Sequence, residues 1–466
     1  MAPIDPPVDD PLRTALTAAL RARQPTASVT AAEALVQAYP RSALAWSGLA
    51  DAWALSGRTD VAVDARRQAL RLHPTDLTLQ FNLGTTLLTA GDKAGALAVL
   101  QPLSRQAPRE PRVHMNLGIA LRDLGQLQAA ATALTTARTF VRENTPLAAE
   151  IRWNRSLVHL MGGDLRAGLP AYEARRHLAR FSLPAARGLP IWDGTGRPDT
   201  LLVIAEQGLG DTLQYARWIR RVRPRVGRLV FAVQKPLVPL LRAGLDGLLD
   251  TDDIVPLART LHVPGATARA PLLSLPLLLG AFDRGTHVEP TPWLTPDPGL
   301  VQHWTQRLAT LPGRFRVGIV WQGNPSYKDD RNRSVPLRHY APLAAIPGVT
   351  LLSLQKRHGR DQLASLPQVI DLHDDLDEAT GPFLDTAAVM QAADLVVTSD
   401  TATLHLAGAL GVPTLAAIAH IPDWRFGLRG DQLPEYPRVR LVRQPRPGDW
   451  DAVVHQMAVW VRKQVS

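Results

Sequence analysis

The first third of the chain repeats one pattern of apolar, small and turn residues. Gly57, Gly91 and Gly125 stand 34 residues apart, and Pro74 and Pro108 keep the same interval. Small residues recur with the same period, at Ala62, Ala96 and Ala130. Since a small residue lets two helices cross closely, each unit is predicted to be a helical hairpin that buries its apolar face only against the next unit.

A period of 34 residues is that of the tetratricopeptide repeat. A fourth unit is predicted from Trp153 to Arg176, and an earlier, degenerate unit ends at Pro40. Together these units predict a right-handed solenoid over residues 1–182, whose concave face binds peptides or proteins. The tryptophans of the repeats, Trp46, Trp53 and Trp153, are interpreted as packing between units.

The rest of the chain alternates short apolar runs with helical patterns. After a link rich in proline and glycine at residues 183–198, two Rossmann-like halves are predicted, at 199–312 and 313–466, with a cleft between them. Their strands are predicted at residues 201–205, 229–233, 248–249, 316–321, 350–354, 369–372 and 395–397. The expected fold class is therefore α + α/β.

One segment of the second half, residues 394–418, predicts a strand, a sharp turn, a helix and a second strand. Ser399, Asp400 and Thr401 supply the chemistry of a helix N-cap, and Gly411 ends the helix that begins at Ala402. The free amides and dipole of the helix start favour an anion. A phosphate site is therefore predicted there; the alternative is an ordinary strand-to-helix turn with a good cap. Its predicted contacts are Asp400, Thr401, Ala402, Thr403 and His405.

Three motifs carry a resemblance to a known family. They are EQGLGDTLQYARW at 206–218, WQGNPSYKDDRNRSVPL at 321–337 and SDTATLHLAGALGVP at 399–413. In these motifs, residues 200–460 resemble glycosyltransferases of the GT-B fold, similar to bacterial heptosyltransferases and more loosely to O-linked N-acetylglucosamine transferase. The resemblance implies transfer from a nucleotide-diphosphate sugar. The first half is short and lacks recognisable heptosyltransferase acceptor loops, so a protein acceptor held by the repeats is expected, such as a surface or flagellar subunit.

A metal-free transferase must stabilise its diphosphate leaving group with amides and cationic side chains. Lys328, Arg331 and Arg333 lie in a polar loop after a predicted strand. The resemblance makes Lys328 the first choice for the β-phosphate, with Arg333 beside it; the alternative is solvated charges that pair with Asp329 and Asp330. Gln322 and Asn324 are predicted to orient the donor.

Two further elements complete the predicted site. In the glycine turn, Gly208 and Gly210 precede Asp211, which matches the family's proposed general base for the acceptor hydroxyl. Because a carboxylate at a helix start also caps the helix, a purely structural role for Asp211 stays open. Gln355 follows a predicted strand where enzymes of this fold commonly recognise the base.

Composition limits the classes of ligand. The chain has no cysteine, and its 13 histidines show no ligand spacing, so no metal or cofactor is expected apart from the donor substrate. A DxD triplet at 374–377 is not expected to bind metal in this fold. The net charge of +10 is dispersed and aromatic residues make up 5%, which argues against nucleic acid. Without signal-peptide features in residues 1–11 or a long apolar run, a soluble, cytoplasmic protein is expected.

Two functions from different classes are consistent with the sequence. The first is a cytoplasmic glycosyltransferase that selects its protein acceptor through the repeats. The second is a non-catalytic scaffold in which a degenerate transferase fold stabilises them. The glycine turn, Asp211, Lys328 and the helix start at Thr401 together favour the enzyme. A nucleotide-sugar epimerase is a weaker third alternative, since it has no use for a protein-binding module.

Overall fold

The computed structural model forms two compact units, Met1–Val158 and His159–Ser466. It describes residues 4–184, 186, 188–282, 292–327 and 329–465. The boundary between the units falls inside a helix, earlier in the chain than the predicted end of the solenoid at residue 182. No helix of the described residues is both long and apolar enough to cross a bilayer.

The first unit is built from antiparallel helical hairpins. Its helices are α1 (Pro11–Arg21), α2 (Pro25–Ala38), α3 (Ala43–Leu55), α4 (Thr59–Leu72), α5 (Leu77–Ala90), α6 (Lys93–Gln106), α7 (Pro111–Asp123) and α8 (Leu127–Thr139), and α9 (Pro146–Met161) crosses the boundary. The predicted hairpins are confirmed as α3–α4, α5–α6 and α7–α8, and the degenerate unit as α1–α2.

The repeated glycines have two physical roles in this unit. Gly91 has a φ of 84° after α5, a left-handed conformation that ends the helix at no steric cost. Gly84 of α5 packs against Leu100 of α6, and a Cβ added to Gly84 would lie 2.7 Å from the leucine side chain. Ala96 in the facing helix is fully buried. Small residues therefore allow the close helix crossing that the sequence predicts.

The second unit begins with α10 (Leu165–Tyr172) and a 3₁₀ turn (Glu173–His177). The elements that follow it are β1 (Thr200–Ile204), α11 (Leu209–Tyr215), α12 (Ile219–Val222), β2 (Arg228–Val233), α13 (Val238–Gly244), β3 (Ile254–Pro256), β4 (Ala268–Pro271), α14 (Leu275–Leu278) and α15 (Pro298–Ala309). Their four strands form a parallel sheet in the order β3-β2-β1-β4.

Two details of this region differ from the sequence prediction. Leu248 and Leu249 form a turn rather than a strand, because Gly247 has a φ of 75° and reverses the chain; the strand lies at β3 instead. Part of the predicted link is bound to the sheet, since Arg269 N donates to Pro190 O at 2.9 Å and Trp192 N to Arg269 O at 2.8 Å. These bonds cover the free edge of β4.

A second sheet follows from residue 315. Its elements are β5 (Phe315–Val320), α16 (Asp330–Arg333), α17 (Ala341–Ala344), β6 (Val349–Ser353), β7 (Ile370–Asp371), α18 (Leu384–Ala392), β8 (Leu395–Ser399), α19 (Ala402–Leu410), β9 (Thr414–Ile418), β10 (Gln432–Leu433), β11 (Tyr436–Arg443) and α20 (Trp450–Val465). The order is β10-β11-β9-β8-β5-β6-β7, and all pairs are parallel except β10 with β11.

Both sheets place a topological switch point beside their first strand. In the second sheet, the six parallel strands follow the 3-2-1-4-5-6 order of doubly wound folds, and the chain leaves β5 and the adjacent β8 in opposite directions. In the first sheet the corresponding pair is β1 and β4. Ligands of such sheets bind at the carboxyl ends of these strand pairs, so the segments after β1, β4, β5 and β8 are where a site is expected.

Candidate functional site

The start of α19 is a helix end without a side-chain cap. Thr401 occupies the N-cap position, but its hydroxyl lies 2.7 Å from that of Thr403 and makes no bond to the first-turn amides. Thr403 is held in turn by Thr398, with 2.8 Å between their hydroxyl oxygens. Of Ser399, Asp400 and Thr401, the residues predicted to supply the N-cap, Thr401 occupies that position but forms no side-chain capping bond. The backbone amides and the positive end of the helix dipole are left for another partner.

Asp400 stands at this helix start as a half-buried carboxyl. Burial raises its pKa to about 7, and the nearby Arg333 and Arg425 oppose that increase. Near neutral pH, a large fraction of Asp400 is protonated and able to donate a hydrogen bond. A protonated Asp400 repels a neighbouring phosphate less than a carboxylate would.

The loop after β5 brings Arg333 into the same neighbourhood. Its Nε donates to Asp330 Oδ1 at 3.1 Å, and its guanidinium carbon lies 4.6 Å from the centre of the Tyr327 ring. Ser334 Oγ donates to the other oxygen of Asp330 at 2.9 Å and accepts from Gly323 N at 3.0 Å. The buried Asp330 thus braces the loop and pairs with Arg333, as the alternative interpretation of these loop charges predicts. The charge of Arg333 is still near enough to Asp400 to lower its pKa. Lys328, the predicted β-phosphate ligand, lies outside the described residues.

Gln355 has a different role from the predicted one. Its Oε1 accepts from Trp321 N and Gln322 N, each at 3.1 Å, and its Nε2 donates to Gln322 O and His358 O, each at 2.8 Å. A primary amide has no further donor to offer, so Gln355 braces the end of β5 instead of presenting its side chain to a base.

Gln322 and Asn324, also predicted to contact the sugar donor, differ in how free their side chains are to bind a ligand. The Gln322 side chain accepts from Gln362 at 2.6 Å. Asn324 is exposed and accepts from Ser326 N at 3.0 Å, which forms a local turn. Asn324 is thus closer to solvent than Gln322.

The glycine turn of the first sheet packs directly on α19. A Cβ at Gly210 would lie 3.0 Å from His405 Cδ2 and 3.4 Å from Ala402 Cα, so a side chain there would force His405 or the helix start to shift by a few tenths of an ångström. Asp211 Oδ2 accepts from Gly208 N at 2.8 Å, which closes the start of α11. The starts of α11 and α19, one from each sheet, therefore meet at Gly210.

An ion pair joins the two sheets beside this contact. Arg425 Nη2 donates to Asp211 Oδ1 at 2.5 Å, and Nη1 donates to Asp423 Oδ1 at 2.9 Å. The Arg425 side chain is 8% exposed. Both oxygens of Asp211 are thus engaged, one by a guanidinium and one by a backbone amide. Each oxygen keeps a further lone pair, so Asp211, whose side chain is 20% exposed, can accept a proton while both bonds persist.

His405 is enclosed rather than open to a ligand. It stacks on Phe426 at 6.1 Å between ring centres, and its Nδ1 lies 3.2 Å from Tyr436 OH. Burial, with Arg425, Arg217 and Arg333 nearby, lowers its pKa to about 3, so the imidazole is neutral. Its Nε2 side faces the glycine turn.

The acidic segment 374–377 serves the fold around α18. Asp377 accepts from Thr386 N at 2.9 Å, and Asp385 accepts from Trp304 Nε1 at 2.7 Å. Asp375 pairs with Arg307, whereas Asp374 is exposed. Over the described part of the chain, no three histidine or carboxylate side chains converge as a metal site would require.

Sequence reasoning missed two arginines of this region. No role is predicted for Arg425 from the sequence, and Arg175 is placed within the predicted fourth repeat. Both are buried and bind the glycine turn or its carboxylate, at Asp211 and Glu206. No local sequence pattern marks either arginine, because the partners of Arg175 and Arg425 at Glu206 and Asp211 lie 31 and 214 residues away in the chain.

Comparisons with known proteins identify the first unit. Residues 14–76 and 81–139 match the tetratricopeptide repeat family. The predicted repeats are therefore confirmed over these residues, whereas the fourth unit predicted from Trp153 to Arg176 lies outside the match. The first unit is a module of the kind that typically mediates contacts between proteins. The glycosyltransferase resemblance of the second unit stays a prediction.

The chain is also similar to individual proteins. It is 28% identical over 442 residues to Protein FlbA of Caulobacter vibrioides, which covers 87% of this chain and 70% of that protein. Among solved structures, the MamA RS-1 ArsTM double mutant covers 36% of this chain and 93% of its own, at 20% identity and a TM-score of 0.32. The match to MamA from Desulfovibrio magneticus RS-1 covers 36% of this chain and 90% of that one, at 19% identity and a TM-score of 0.31.

Proposed function

We propose that the second unit is a metal-independent glycosyltransferase of the GT-B type, and that the tetratricopeptide repeats hold its protein acceptor. The observation that carries the proposal is the contact at Gly210. It brings an uncapped helix start, suited to a diphosphate, beside a carboxylate from the other sheet, suited to an acceptor hydroxyl. A transferase needs these two functions side by side at the meeting point of its donor and acceptor halves.

The proposed reaction assigns each group one task. The acceptor oxygen forms a bond to the anomeric carbon, and the bond from that carbon to the β-phosphate oxygen breaks, with its electron pair leaving on the nucleoside diphosphate. The amides of α19, Lys328 and Arg333 stabilise the leaving diphosphate. Asp211 takes the proton of the acceptor hydroxyl on a free lone pair of one of its oxygens. No cofactor takes part.

Nucleotide binding gives the direct test. Thermal shift and calorimetry with the nucleoside diphosphates of uracil, guanine and adenine and with their sugars should reveal one preferred base. Arg333→Gln should then weaken the preferred diphosphate by about 1.5–3 kcal/mol, since a charge-assisted hydrogen bond is lost. Lys328→Ala should have an effect of similar size.

Arg331→Gln is the matched control, because Arg331 is exposed on the same turn of α16. It should leave affinity unchanged. If no nucleotide binds the wild-type protein, the transferase proposal fails, and the scaffold alternative is favoured by the tetratricopeptide match.

Removal of residues 1–145 should separate acceptor selection from donor chemistry. This truncation keeps α9 intact and retains α10 with the following 3₁₀ turn, whose Tyr172 and Arg175 bond to the glycine turn. We expect nucleotide affinity and slow hydrolysis of the donor to persist, whereas sugar incorporation into the natural protein acceptor is lost. Equal incorporation by full-length and truncated protein would contradict acceptor selection by the repeats.

A further inference from the structure

Arg175, in the 3₁₀ turn after α10, is a guanidinium with every donor in use. Its Nε and Nη2 donate to Glu206 at 3.0 and 2.7 Å, and Nη2 also donates to Ser274 Oγ at 2.9 Å. Its Nη1 donates to Glu173 Oε1 at 2.6 Å and to Tyr172 O at 3.3 Å. The side chain is 0% exposed and that of Glu206 is 3% exposed. Because every donor of this buried guanidinium is bonded, the side chain and its partners are fixed in one arrangement.

These partners lie at the switch point of the first sheet. Glu206 follows β1, and Ser274 follows the neighbouring β4. Glu206 Oε1 also accepts from Leu273 N at 3.2 Å, so the two strand ends are bound to one carboxylate. In doubly wound sheets a ligand ordinarily binds at this switch point. In this sheet the position is occupied by the side chain of Arg175, which comes from the 3₁₀ turn that precedes β1.

Tyr172 holds Gln207, the residue that follows Glu206 in the glycine turn. Gln207 has a φ of 62°, a left-handed conformation that costs free energy for a residue with a side chain. Gln207 Nε2 donates to Tyr172 OH at 2.9 Å, and Gln234 Nε2 donates to Gln207 O at 3.3 Å. The Tyr172 ring also meets Trp424 edge-on, at 6.1 Å between ring centres. The tyrosine thus contacts the glycine turn and the segment that carries Arg425.

We propose that Arg175 and Tyr172 are positioning residues that hold the glycine turn, residues 206–211, in the conformation that places Asp211 against Arg425 and the start of α19. The assignment of Asp211 as the acceptor base rests on the proposed function; the positioning of the turn does not. Neither residue touches the donor elements after β5 and β8. Their loss should therefore affect the acceptor side of the reaction and spare donor binding.

Backbone hydrogen exchange in the full-length protein tests the positioning without any substrate. Lysine retains the charge of Arg175 but cannot form the paired bonds to Glu206 together with those to Ser274 and Glu173. Arg175→Lys should make the amides of residues 206–212 exchange several-fold faster, while those of β5, β8 and β9 keep their rates. The matched control is Arg176→Lys, since the neighbouring Arg176 is 34% exposed and bonds only to Glu173 among the described residues.

Tyr172→Phe provides a second, milder variant, because it keeps the ring and removes only the hydroxyl that holds Gln207. It should also accelerate exchange in the turn, with the protein remaining folded. If both variants leave exchange at residues 206–212 unchanged, the positioning proposal is overturned. Equal acceleration over the whole second unit would overturn it as well, because Arg175 would then stabilise the fold in general.

Kinetics separate this proposal from the one on which it partly rests. With a donor and acceptor in hand, Arg175→Lys should lower kcat roughly 10-fold to 100-fold, with the donor KM unchanged, as expected for a displaced catalytic group. An increased donor KM with unchanged kcat would place Arg175 in donor binding and refute a positioning role. If the wild type binds no nucleotide, the transferase proposal fails, and the exchange experiment still decides whether the turn is held.

Discussion

Asp211→Asn is expected to reduce sugar transfer by about 10²–10⁴-fold while donor affinity stays near that of the wild type. Asparagine has the size of aspartate but cannot accept the proton of the acceptor hydroxyl. It also cannot accept from both Gly208 N and Arg425, since one of its two terminal atoms is a donor. Steady-state turnover and calorimetric donor binding on the same preparation measure the two quantities separately.

Asp423 offers a control for this experiment. It separates the effect of losing a proton acceptor from the effect of losing an ion pair with Arg425. Asp423 binds the same guanidinium at 2.9 Å and is 34% exposed. Asp423→Asn removes one carboxylate from Arg425 and leaves Asp211 in place, so transfer should decrease far less. If both asparagine variants lose the same activity, the loss acts through Arg425, and Asp211 is not the base.

Arg425→Met should be among the most destabilising single substitutions in the second unit. It leaves Asp211, Asp423 and Asp400 together without their shared cation. Breaking a buried pair costs about 3–5 kcal/mol, but Asp211 and Asp423 are 20% and 34% exposed, so water moderates the loss to about 2–4 kcal/mol. Chemical denaturation monitored in the second unit measures this difference.

The effect of Arg425→Met should also depend on pH. Arg425 lowers the pKa of Asp400, which burial raises to about 7, so its removal raises that pKa further. A carboxyl with a raised folded-state pKa binds protons on folding, and stability is lost as pH rises through that pKa. The deficit should therefore be smaller at pH 5 than at pH 8. Arg429→Met, at an exposed arginine of the same loop, should show no such deficit.

Local patterns were sufficient to predict most secondary elements. The 34-residue spacing of Gly57, Gly91 and Gly125 determined the hairpins, because each glycine adopts a positive φ that other residues avoid. The helix predicted from Ala402 to Leu410 has those same bounds. The strand predicted at 248–249 was wrong because two leucines anchoring a turn have the same hydrophobicity as a short strand.

The candidate site was predictable only where a motif lies next to a strand end. Parallel strands bring such ends to one edge, so Gly210, Arg333 and Asp400 could be grouped from the sequence. The partners of Arg425 and Gln355 could not, because they depend on tertiary packing. Arg425 and Asp211 are 214 residues apart in the chain. Gln355 follows its strand as predicted, yet the backbone around Trp321 occupies its amide.

The burial of Arg175 affects how this chain can be recombined with others. The link rich in proline and glycine at residues 183–198 has the composition of a domain boundary, where the repeat module could be replaced by that of another protein. A chimera joined there would leave Glu206 in the interior without its cation and Gln207 without the hydroxyl that holds it. A viable exchange of acceptor modules must instead cut before α9, so the end of the repeat array is inherited together with the sheets that follow it.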